Sequence, residues 1–352
     1  MLELKDVQKT VLGDVHIHPT DLLLEPGGFN ILLGTTLAGK TTLMQLMAGL
    51  EKPTSGEVWF NGVNVTGTAV QKRNVSMVYQ QFINYPNMSV FENIASPLRV
   101  GRMASSEIRK RVGEMAELLK ISAMLDRRPS ELSGGQQQRT AMARALVKES
   151  DLVLLDEPLA NLDFKLREEL RDELPKIFEE RNSVVVYATT EPTEALLLGG
   201  KTAALHEGQV VDFGTTGECY RKPAHLVSAR VFSEPPINTM IATKKGRKMR
   251  LNKKIAWEMD KADLPDGGYT VGIRAHNVTV EKPSKHAVEI SGTVKVAEIS
   301  GSVSMIHFDA LDEAWISLSH GVQVYEAGEP ITVYVEPSSF MYFDQSGNLA
   351  GA

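Results

Sequence analysis

A glycine-rich segment that carries one lysine is the part of this sequence whose residue types and spacing most directly indicate chemistry. It fits the pattern G-x-x-x-x-G-K-S/T, which is typical of loops that bind phosphate groups. Its members are Gly34, Thr35, Thr36, Leu37, Ala38, Gly39, Lys40, Thr41 and Thr42. The apolar run from Phe29 to Leu33 before it is typical of a buried strand, and Thr41 to Leu50 after it has helical spacing. We therefore expect a strand, a phosphate-binding loop and a helix in that order.

Each polar group of this loop has a defined role in such a site. Gly34 and Gly39 allow the backbone N–H groups to point at phosphate oxygens, and the start of the helix adds partial positive charge. Lys40 would reach the β- and γ-phosphates, and the Thr41 hydroxyl would be a ligand of Mg²⁺. The alternative is a glycine-rich turn that matches the pattern by chance.

A second glycine turn opens a helix further along the chain. Leu132 is followed by Ser133, Gly134, Gly135 and Gln136. A serine hydroxyl before a helix start predicts another anion site. Nothing in the first site requires it, so the sequence indicates two phosphate-binding surfaces.

The third element whose residues could take part in chemistry is an apolar strand that ends in two carboxylates. It runs from Leu152 to Glu157 and ends in Asp156 and Glu157. Asp156 can hold Mg²⁺ through water, and Glu157 can polarise an attacking water. Packing alone rarely places two adjacent acids at the end of a buried strand.

The order of elements predicts an α/β fold. Strands are predicted at residues 2–7, 57–60, 63–66, 74–79, 183–189 and 210–213, with Asn61-Gly62 as a hairpin turn. Strands alternate with helices at 105–120 and 165–180, so the core is predicted to be a mostly parallel sheet with helices on its faces. Residues from about 83 to 150 hold no clear strand and are predicted to form a helical insertion.

Composition limits the class of protein. The chain has 352 residues, of which 42% are hydrophobic, and a formal net charge of -6. This balance argues against a nucleic-acid partner. One cysteine, Cys219, fits a reducing compartment. The first residues lack the features of a signal peptide, and no apolar run is long enough to span a membrane.

Taken in order, the phosphate loop, Gln80, the segment Leu132–Gln136 and the strand 152–157 followed by Asn161-Leu162-Asp163 resemble the ATP-binding subunit of ABC transporters. Residues 235–352 carry Gly272-Ile273-Arg274 and many short strands. This part is similar to the OB-fold-type (TOBE/MOP-like) regulatory domain of the carbohydrate-uptake family, which includes maltose, glycerol-phosphate and glycerol importers. The resemblance implies a nucleotide-binding domain at 1–234, with its helical subdomain at about 83–150, and an all-β regulatory domain at 235–352.

The resemblance also implies a mechanism. Two ATP-binding subunits would pair head to tail, and each ATP would lie between the phosphate loop of one and residues Ser133–Gln136, with Asp163, of the other. Glu157 would be the general base, and Gln80 would sense the γ-phosphate and contribute to the Mg²⁺ site. The loop from Phe82 to Pro86 would contact the membrane subunits.

The resemblance further implies the partners and the location of the subunit. They are a second ATP-binding subunit, two transmembrane permeases and, indirectly, a periplasmic solute-binding protein, at the cytoplasmic face of the bacterial inner membrane. The solute would be a carbohydrate or polyol, and the pattern of this loop together with residues 189–192 is similar to the glycerol-uptake branch.

Two positions depart from the family pattern. The family has a histidine after the last core strand, where this chain has Thr190, followed by Glu191 in place of an aspartate. Losing an oriented donor of this kind costs on the order of 10²–10³ in rate. The family also stacks adenine on an aromatic residue near the position of Val11, so here adenine would lie on Val11 or on His16.

The departure at Thr190 leaves alternatives open. One is an asymmetric pair in which this chain's own site turns over slowly beside a different ATPase subunit. Another is a nucleotide-binding regulatory subunit with attenuated hydrolysis, although the intact Glu157 argues against complete inactivity. A third is that Thr190, or a water that it holds, substitutes adequately. ABC proteins that act on ribosomes or DNA commonly carry tandem cassettes or long coiled-coil insertions, and the sequence shows neither.

Overall fold

The structure, a computed structural model, describes residues 1–81, 83–160, 162–179, 182–251, 255–259 and 264–351. The chain divides into two compact units, Met1–Thr216 and Gly217–Ala352. The sequence predicts a boundary between two functional domains after residue 234, and that boundary stays a prediction. None of the helices in the described ranges has the length and apolar composition needed to cross a membrane.

The first unit alternates strands and helices. Its strands are β1 (Leu2–Val11), β2 (Asp14–Leu24), β3 (Phe29–Leu33), β4 (Ser55–Phe60), β5 (Val63–Asn64), β6 (Val75–Val78), β7 (Leu152–Asp156), β8 (Val184–Thr189), β9 (Lys201–His206) and β10 (Gln209–Thr215). Its helices are α1 (Lys40–Ala48), α2 (Val90–Val100), α3 (Ser105–Leu118), α4 (Gly134–Val147), α5 (Phe164–Glu179) and α6 (Pro192–Leu198).

A six-stranded sheet in the order β10-β9-β3-β8-β7-β6 forms the centre of this unit. The strands from β9 to β6 pair in parallel, and β10 pairs antiparallel with β9 at the edge. Every residue of β3, β7 and β8 is buried, as expected for strands covered on both faces. The predicted α/β class with a mostly parallel sheet is confirmed. Because parallel strands end at the same edge, the segments after β3, β7 and β8 meet there.

A smaller antiparallel sheet, β2-β1-β4-β5, lies in the same unit. Asn61 and Gly62 connect β4 to β5 and both have positive φ, +48° and +78°, as a tight hairpin turn requires. The sequence did not identify β2 as a strand. Its alternating burial, however, is the period of two expected when one face of a sheet packs on a core.

Between β6 and β7 the described residues form helices and short 3-10 turns and contain no strand. Helices α2 and α4 each begin with a capping box, in which a serine hydroxyl and a side chain three residues later bond to each other's backbone N–H. For α2 the pair is Ser89 and Glu92, and for α4 it is Ser133 and Gln136. The second glycine turn found in the sequence is therefore the start of α4.

The second unit begins with two short helices and continues as strands. The helices are α7 (Thr216–Arg221), which starts at the boundary, and α8 (Leu226–Val231). The strands are β11 (Asn238–Lys245), β12 (Lys248–Arg250), β13 (Ala256–Glu258), β14 (Gly267–Ile273), β15 (Val288–Ser300), β16 (Val303–Ala310), β17 (Glu313–His320), β18 (Pro330–Val335), β19 (Met341–Phe343) and β20 (Leu349–Gly351).

These strands form two antiparallel sheets, β13-β12-β11-β14-β19-β20 and β17-β16-β15-β18. Alternate residues of both sheets bury a shared core, in which Trp257 and Phe340 stack and Phe308 contacts Trp315. Such an alternation of inward apolar residues is what two packed sheets need. The predicted all-β character of the C-terminal region, similar to an OB fold, is confirmed.

Candidate functional site

The loop between β3 and α1 takes the shape that its glycines allow. Gly39 precedes α1 with φ +101°, a conformation that side chains with a Cβ rarely adopt. A Cβ on Gly34 would lie 2.5 Å from the carbonyl oxygen of Leu205, so a larger residue is excluded by the neighbouring strand. The loop also contains Leu37 at φ +68°. The local backbone thus fits the phosphate-binding conformation that the motif predicts.

Lys40 is held inside this loop rather than extended into solvent. It is 5% exposed, and its Nζ donates hydrogen bonds to the carbonyls of Gly34 at 2.9 Å and Thr35 at 3.1 Å. Its Nζ also lies 3.5 Å from Oε1 of Glu157. Burial lowers the pKa of Lys40, and the charge of Glu157 opposes that shift. The ammonium is therefore held at the loop by contacts within the chain.

Thr41 and Asp156 meet at the sheet edge although they are far apart in sequence. The Thr41 hydroxyl donates to Oδ2 of Asp156 at 2.7 Å. Asp156 is 2% exposed, and burial raises its pKa while the Thr41 hydrogen bond opposes the shift. A hydroxyl and a carboxylate side by side are the hard oxygen donors that Mg²⁺ prefers. The residues present therefore fit a magnesium ion held beside the phosphate loop.

Glu157 follows β7 and is turned toward the loop by its backbone. It has φ +47°, and its N–H donates to the carbonyl of Ala188 on β8 at 3.0 Å. Backbone conformations of this kind in residues other than glycine are concentrated at functional sites. Gln80, which is exposed, donates from Nε2 to Oε2 of Glu157 at 2.9 Å. The acid predicted as a general base is thus anchored by Gln80, Lys40 and the end of β8.

A cavity of about 450 Å³ opens in front of these groups. It is lined by Val15, His16, Thr36, Leu37, Ala38, Gly39, Lys40, Thr41, Thr42, Gln80, Glu157, Glu207 and Gly208. Gly34, Thr35 and Asp156 do not line it but contact Lys40 and Thr41 directly. Residues 36–42 of the loop, Gln80 and Glu157 therefore share one cavity.

The cavity also contains residues from β2 and from the turn between β9 and β10. Val11 is not among the residues that line it, whereas His16 of β2, the other position considered for adenine, is. Glu207 and Gly208 come from the turn between β9 and β10. The N–H of Gly208 donates to the Ala38 carbonyl at 3.0 Å, which ties this turn to the phosphate loop. The only signal in the sequence for this contact is the Glu-Gly turn itself.

The second glycine turn lies elsewhere on this unit. Ser133 and Gly134 are exposed at the start of α4, and no residue of 132–136 lines the cavity. Asp163 uses Oδ1 to accept the backbone N–H of Leu166 at 3.0 Å, so it caps the start of α5. Asn161 lies outside the described residues. One chain thus carries the phosphate loop and the glycine turn of α4 on separate surfaces.

The end of β8 contains the position where the family pattern is broken. Thr190 is half-buried, follows β8 directly and does not line the cavity. The next residue, Glu191, accepts hydrogen bonds from Nη1 of Arg167 at 2.9 and 3.0 Å. Glu194, which the sequence analysis did not single out, is 6% exposed and accepts hydrogen bonds from Tyr187 and Thr189.

The segment proposed to contact membrane subunits lies after Gln80. Phe82 lies outside the described residues. Ile83 and Tyr85 are exposed, at 57% and 47% of their surfaces. Arg144 of α4 stacks 4.8 Å from the centre of the Tyr85 ring. Apolar and aromatic side chains thus remain on the surface at this point of the helical insertion.

Comparison with known proteins shows which family this chain resembles. A sequence model described as ABC transporter matches residues 17–160. The sn-glycerol-3-phosphate import ATP-binding protein UgpC of Yersinia enterocolitica is 32% identical over 355 residues, which cover 99% of this chain and 98% of that protein. The xylose/arabinose import ATP-binding protein XacJ of Haloferax volcanii is 32% identical over 364 residues, which cover 99% of this chain and 95% of that protein.

A solved structure extends the likeness to three dimensions. The ATP-binding cassette MJ0796, in a dimeric post-hydrolysis state bound to ADP and Pi, matches with a TM-score of 0.57 and 30% identity. The match covers 61% of this chain and 99% of that cassette. Together with the relatives that match nearly the whole length, it shows that the chain belongs to the ATP-binding subunits of ABC transporters, within the carbohydrate-uptake family.

Proposed function

We propose that this chain binds ATP with Mg²⁺ and hydrolyses it to energise solute import. The observation that carries this proposal is the convergence of Lys40, Thr41, Asp156, Gln80 and Glu157 at one edge of the central sheet. Lys40 and the loop amides would hold the β- and γ-phosphates, and Thr41 and Asp156 would hold Mg²⁺, which supplies charge neutralisation when bound.

The hydrolytic step follows from the position of Glu157. Its carboxylate takes a proton from a water whose oxygen attacks the γ-phosphorus. The bond from that phosphorus to the bridging oxygen breaks, which releases ADP and inorganic phosphate. The side chain of Glu157 is 14% exposed, so it is open to water while its two oxygens stay anchored by Lys40 and Gln80.

The site requires a second ATP-binding subunit to be complete. The exposed start of α4, with Ser133 and the glycines after it, lies outside this chain's own cavity. A helix N-terminus of this kind binds anions. It would therefore cover the nucleotide of a partner, and the partner's equivalent segment would cover the nucleotide held by Lys40. The related cassette MJ0796 is dimeric in its solved structure.

Thr190 favours a pair of two different ATPase subunits. A threonine has a short neutral hydroxyl and lacks the reach and positive character of the histidine found in the family. The site built on Lys40 and Thr190 would turn over slowly, and the site completed by Ser133–Gln136 would do most of the hydrolysis. The alternative, a catalytically attenuated regulatory subunit of the same transporter, is favoured by Thr190 and opposed by the anchored Glu157.

The partners are two transmembrane permeases, contacted through the exposed residues Ile83 and Tyr85, at the cytoplasmic face of a bacterial inner membrane. A periplasmic binding protein would act indirectly, by delivering the solute to those permeases. The solute would be a carbohydrate or polyol, with glycerol as the specific candidate. The relatives UgpC and XacJ, named for import of sn-glycerol-3-phosphate and of xylose/arabinose, support this chemical class.

ATPase rates of the assembled transporter test the function and the asymmetry. The phosphate-loop lysine of each subunit is replaced in turn, beginning with Lys40→Ala here. Replacement in the partner should abolish most hydrolysis, and Lys40→Ala should remove less. Equal losses would overturn the asymmetry, and absence of any MgATP hydrolysis in the unmodified assembly would overturn the proposed function.

Thr190→His examines the cause of the asymmetry in the same assembly. Restoring a long, polar ring at this position should raise the turnover of this chain's own site. The gain should disappear when Lys40→Ala is added, because that change removes the site in which the histidine would act. An unchanged rate would instead show that Thr190 substitutes adequately for histidine.

A further inference from the structure

A buried carboxylate lies behind the site without a part in the chemistry described above. Glu194 of α6 is 6% exposed. Its Oε2 accepts the hydroxyl of Tyr187 at 3.1 Å and the hydroxyl of Thr189 at 2.7 Å. Both donors come from the same face of β8, since they are two residues apart on a strand. Glu194 is therefore hydrogen-bonded to two residues at the end of β8, directly before Thr190.

The environment of Glu194 makes its charge unfavourable. Burial raises its pKa, and the hydrogen bonds from Thr189 and Tyr187 oppose that shift. The charged groups that act on it are Glu191, which precedes α6, and Arg167 and Arg171 of α5. A buried carboxylate is costly unless its oxygens are hydrogen-bonded, and the hydroxyls of Tyr187 and Thr189 supply those bonds.

The hydroxyl of Thr189 connects Glu194 to the backbone of the turn that follows β8. Its hydroxyl has one hydrogen, which points to Glu194, so its oxygen is left to accept the N–H of Glu191 at 3.0 Å. A threonine hydroxyl that accepts from the residue two positions later closes a turn around the residue between them. That residue is Thr190. Removing Glu194 would free the hydroxyl to rotate and would loosen the turn.

The end of β8 also accepts backbone hydrogen bonds from two parts of the site. The carbonyl of Ala188 accepts the N–H of Glu157 at 3.0 Å, and the carbonyl of Thr189 accepts the N–H of Gly34 at 3.3 Å. On the far side of the turn, Arg167 holds the carboxylate of Glu191. Thr190 is thus enclosed between two anchored neighbours, and Glu194 supplies the anchor on the strand side.

We propose that Glu194 is a positioning residue of the ATPase site, which fixes the end of β8 and the turn around Thr190 through the hydroxyl of Thr189. The proposal rests on the proposed function, because positioning has a catalytic meaning only if this chain hydrolyses ATP. Glu194 itself touches neither the phosphate loop nor Glu157, so it acts through Thr189 and Tyr187.

Steady-state kinetics of the assembled transporter with MgATP test the catalytic consequence, with the partner subunit's phosphate-loop lysine replaced so that the remaining hydrolysis comes from this chain's own site. Glu194→Ala should lower kcat about tenfold and leave the KM for ATP within about twofold, because a misplaced group affects the transition state more than nucleotide binding. Glu194→Gln keeps an oxygen that accepts from Thr189 and should retain at least about half of kcat. Glu114→Ala, which changes an exposed glutamate of α3, is the control and should behave as wild type.

The pH dependence separates positioning from a merely structural role. In the wild type, kcat should fall as the pH drops through the raised pKa of Glu194, by no more than the loss seen in Glu194→Gln, because the protonated acid, like the neutral amide, holds the Thr189 hydroxyl less strongly. In Glu194→Gln that component of the acid limb should be absent. Identical acid limbs, or equal losses of kcat in Glu194→Gln and Glu194→Ala, would overturn the proposal.

A measurement that does not depend on ATP hydrolysis separates the positioning role of Glu194 from the proposed function. The methyl resonance of Thr190 is followed by NMR during a pH titration of the isotope-labelled chain. It should show a transition in the wild type that is missing in Glu194→Gln. The same behaviour in both proteins would overturn the positioning role even if ATPase activity were normal. Lack of ATPase activity in the assembled transporter, although the wild-type chain shows the transition, would overturn the proposed function alone.

Discussion

The Nζ atom of Lys40 lies 3.5 Å from Oε1 of Glu157, so the phosphate-binding cation and the candidate general base are paired across one cavity. Gln80 donates to the other oxygen of Glu157 at 2.9 Å. A nucleotide phosphate would therefore compete with Glu157 for the charge of Lys40. If Lys40 binds the phosphates and Glu157 is the base, changing either residue should affect both nucleotide binding and hydrolysis.

Replacement of Glu157 by Gln should separate binding from hydrolysis. The variant keeps the shape of the side chain but removes the base, so the rate of ATP hydrolysis should fall by about 10²–10⁴. MgATP should bind at least as tightly as to the wild type, because Lys40 no longer faces a competing carboxylate. Phosphate release and equilibrium nucleotide binding measure the two quantities.

Glu207→Gln is the matched control for that experiment. Glu207 lines the same cavity, and its side chain is 86% exposed at the turn between β9 and β10. The same loss of charge there should leave the hydrolysis rate within about twofold of wild type, because exposed charges contribute little. A comparable loss of hydrolysis in both variants would contradict the assignment of Glu157 as the base.

Replacement of Lys40 by Met should weaken MgATP binding by about 10- to 100-fold, because a hydrogen bond to a charged group contributes roughly 1.5–3 kcal/mol. Isothermal titration of the purified chain measures the affinity. Lys110→Met removes an ammonium that is 68% exposed on α3 and should leave the affinity unchanged. Equal affinities in wild type and Lys40→Met would show that the ammonium makes no contact with the nucleotide.

The two capping boxes of the helical insertion allow stability and function to be compared directly. Ser89→Ala and Ser133→Ala each remove a hydroxyl that accepts a backbone N–H at the start of a helix. Each should destabilise the fold by about 1 kcal/mol. Only Ser133→Ala should also lower the ATPase rate of the assembled pair, because only that hydroxyl is proposed to face a nucleotide.

Thermal unfolding and ATPase rates of both variants provide the comparison. The loss of melting temperature should be similar for the two changes. The prediction would be contradicted if Ser89→Ala lowered the ATPase rate as much as Ser133→Ala, since both effects would then follow from helix stability.

The buried acid Glu194 should make stability depend on pH. Burial raises its pKa in the folded state above the value in the unfolded chain, so the folded chain binds the proton more tightly. This contribution to stability is complete at pH values below the unfolded pKa and is lost as the pH rises through the folded pKa. Glu194→Gln cannot lose a proton and should escape that loss.

Melting temperatures of wild type and Glu194→Gln across a pH series measure this difference. The variant should gain stability relative to wild type as the pH rises through that interval. A difference that stays constant with pH would show that the pKa of Glu194 is the same in the folded and unfolded states.

Local pattern was enough to predict several parts of the site. The strand before Gly34, the helix that starts at Lys40 and the strand that ends at Asp156 could be read because apolar runs, glycine spacing and helix periodicity act over a few residues. Thr41 and Asp156 were each predicted to hold Mg²⁺ from their own motifs, and the structure brings them within hydrogen-bond distance of each other.

Other contacts depend on chain segments that no local pattern connects. The turn at Gly208 packs on the phosphate loop, and His16 rather than Val11 lines the cavity, because the register of β2 and β10 is set by pairing across the fold. Glu194 looks like an ordinary helix residue in the sequence. Its burial against Tyr187 and Thr189 exists only once α6 folds back on β8.

By itself the sequence determined which chemical groups this protein brings to a phosphate, since a glycine-lysine loop and adjacent acids have that capacity wherever they are placed. The tertiary structure alone decided how those groups are held: Lys40 paired with Glu157, Thr41 bonded to Asp156, and Thr190 enclosed by a turn that a buried acid supports. The reason is physical, because burial and hydrogen-bond geometry arise between segments that are distant along the chain.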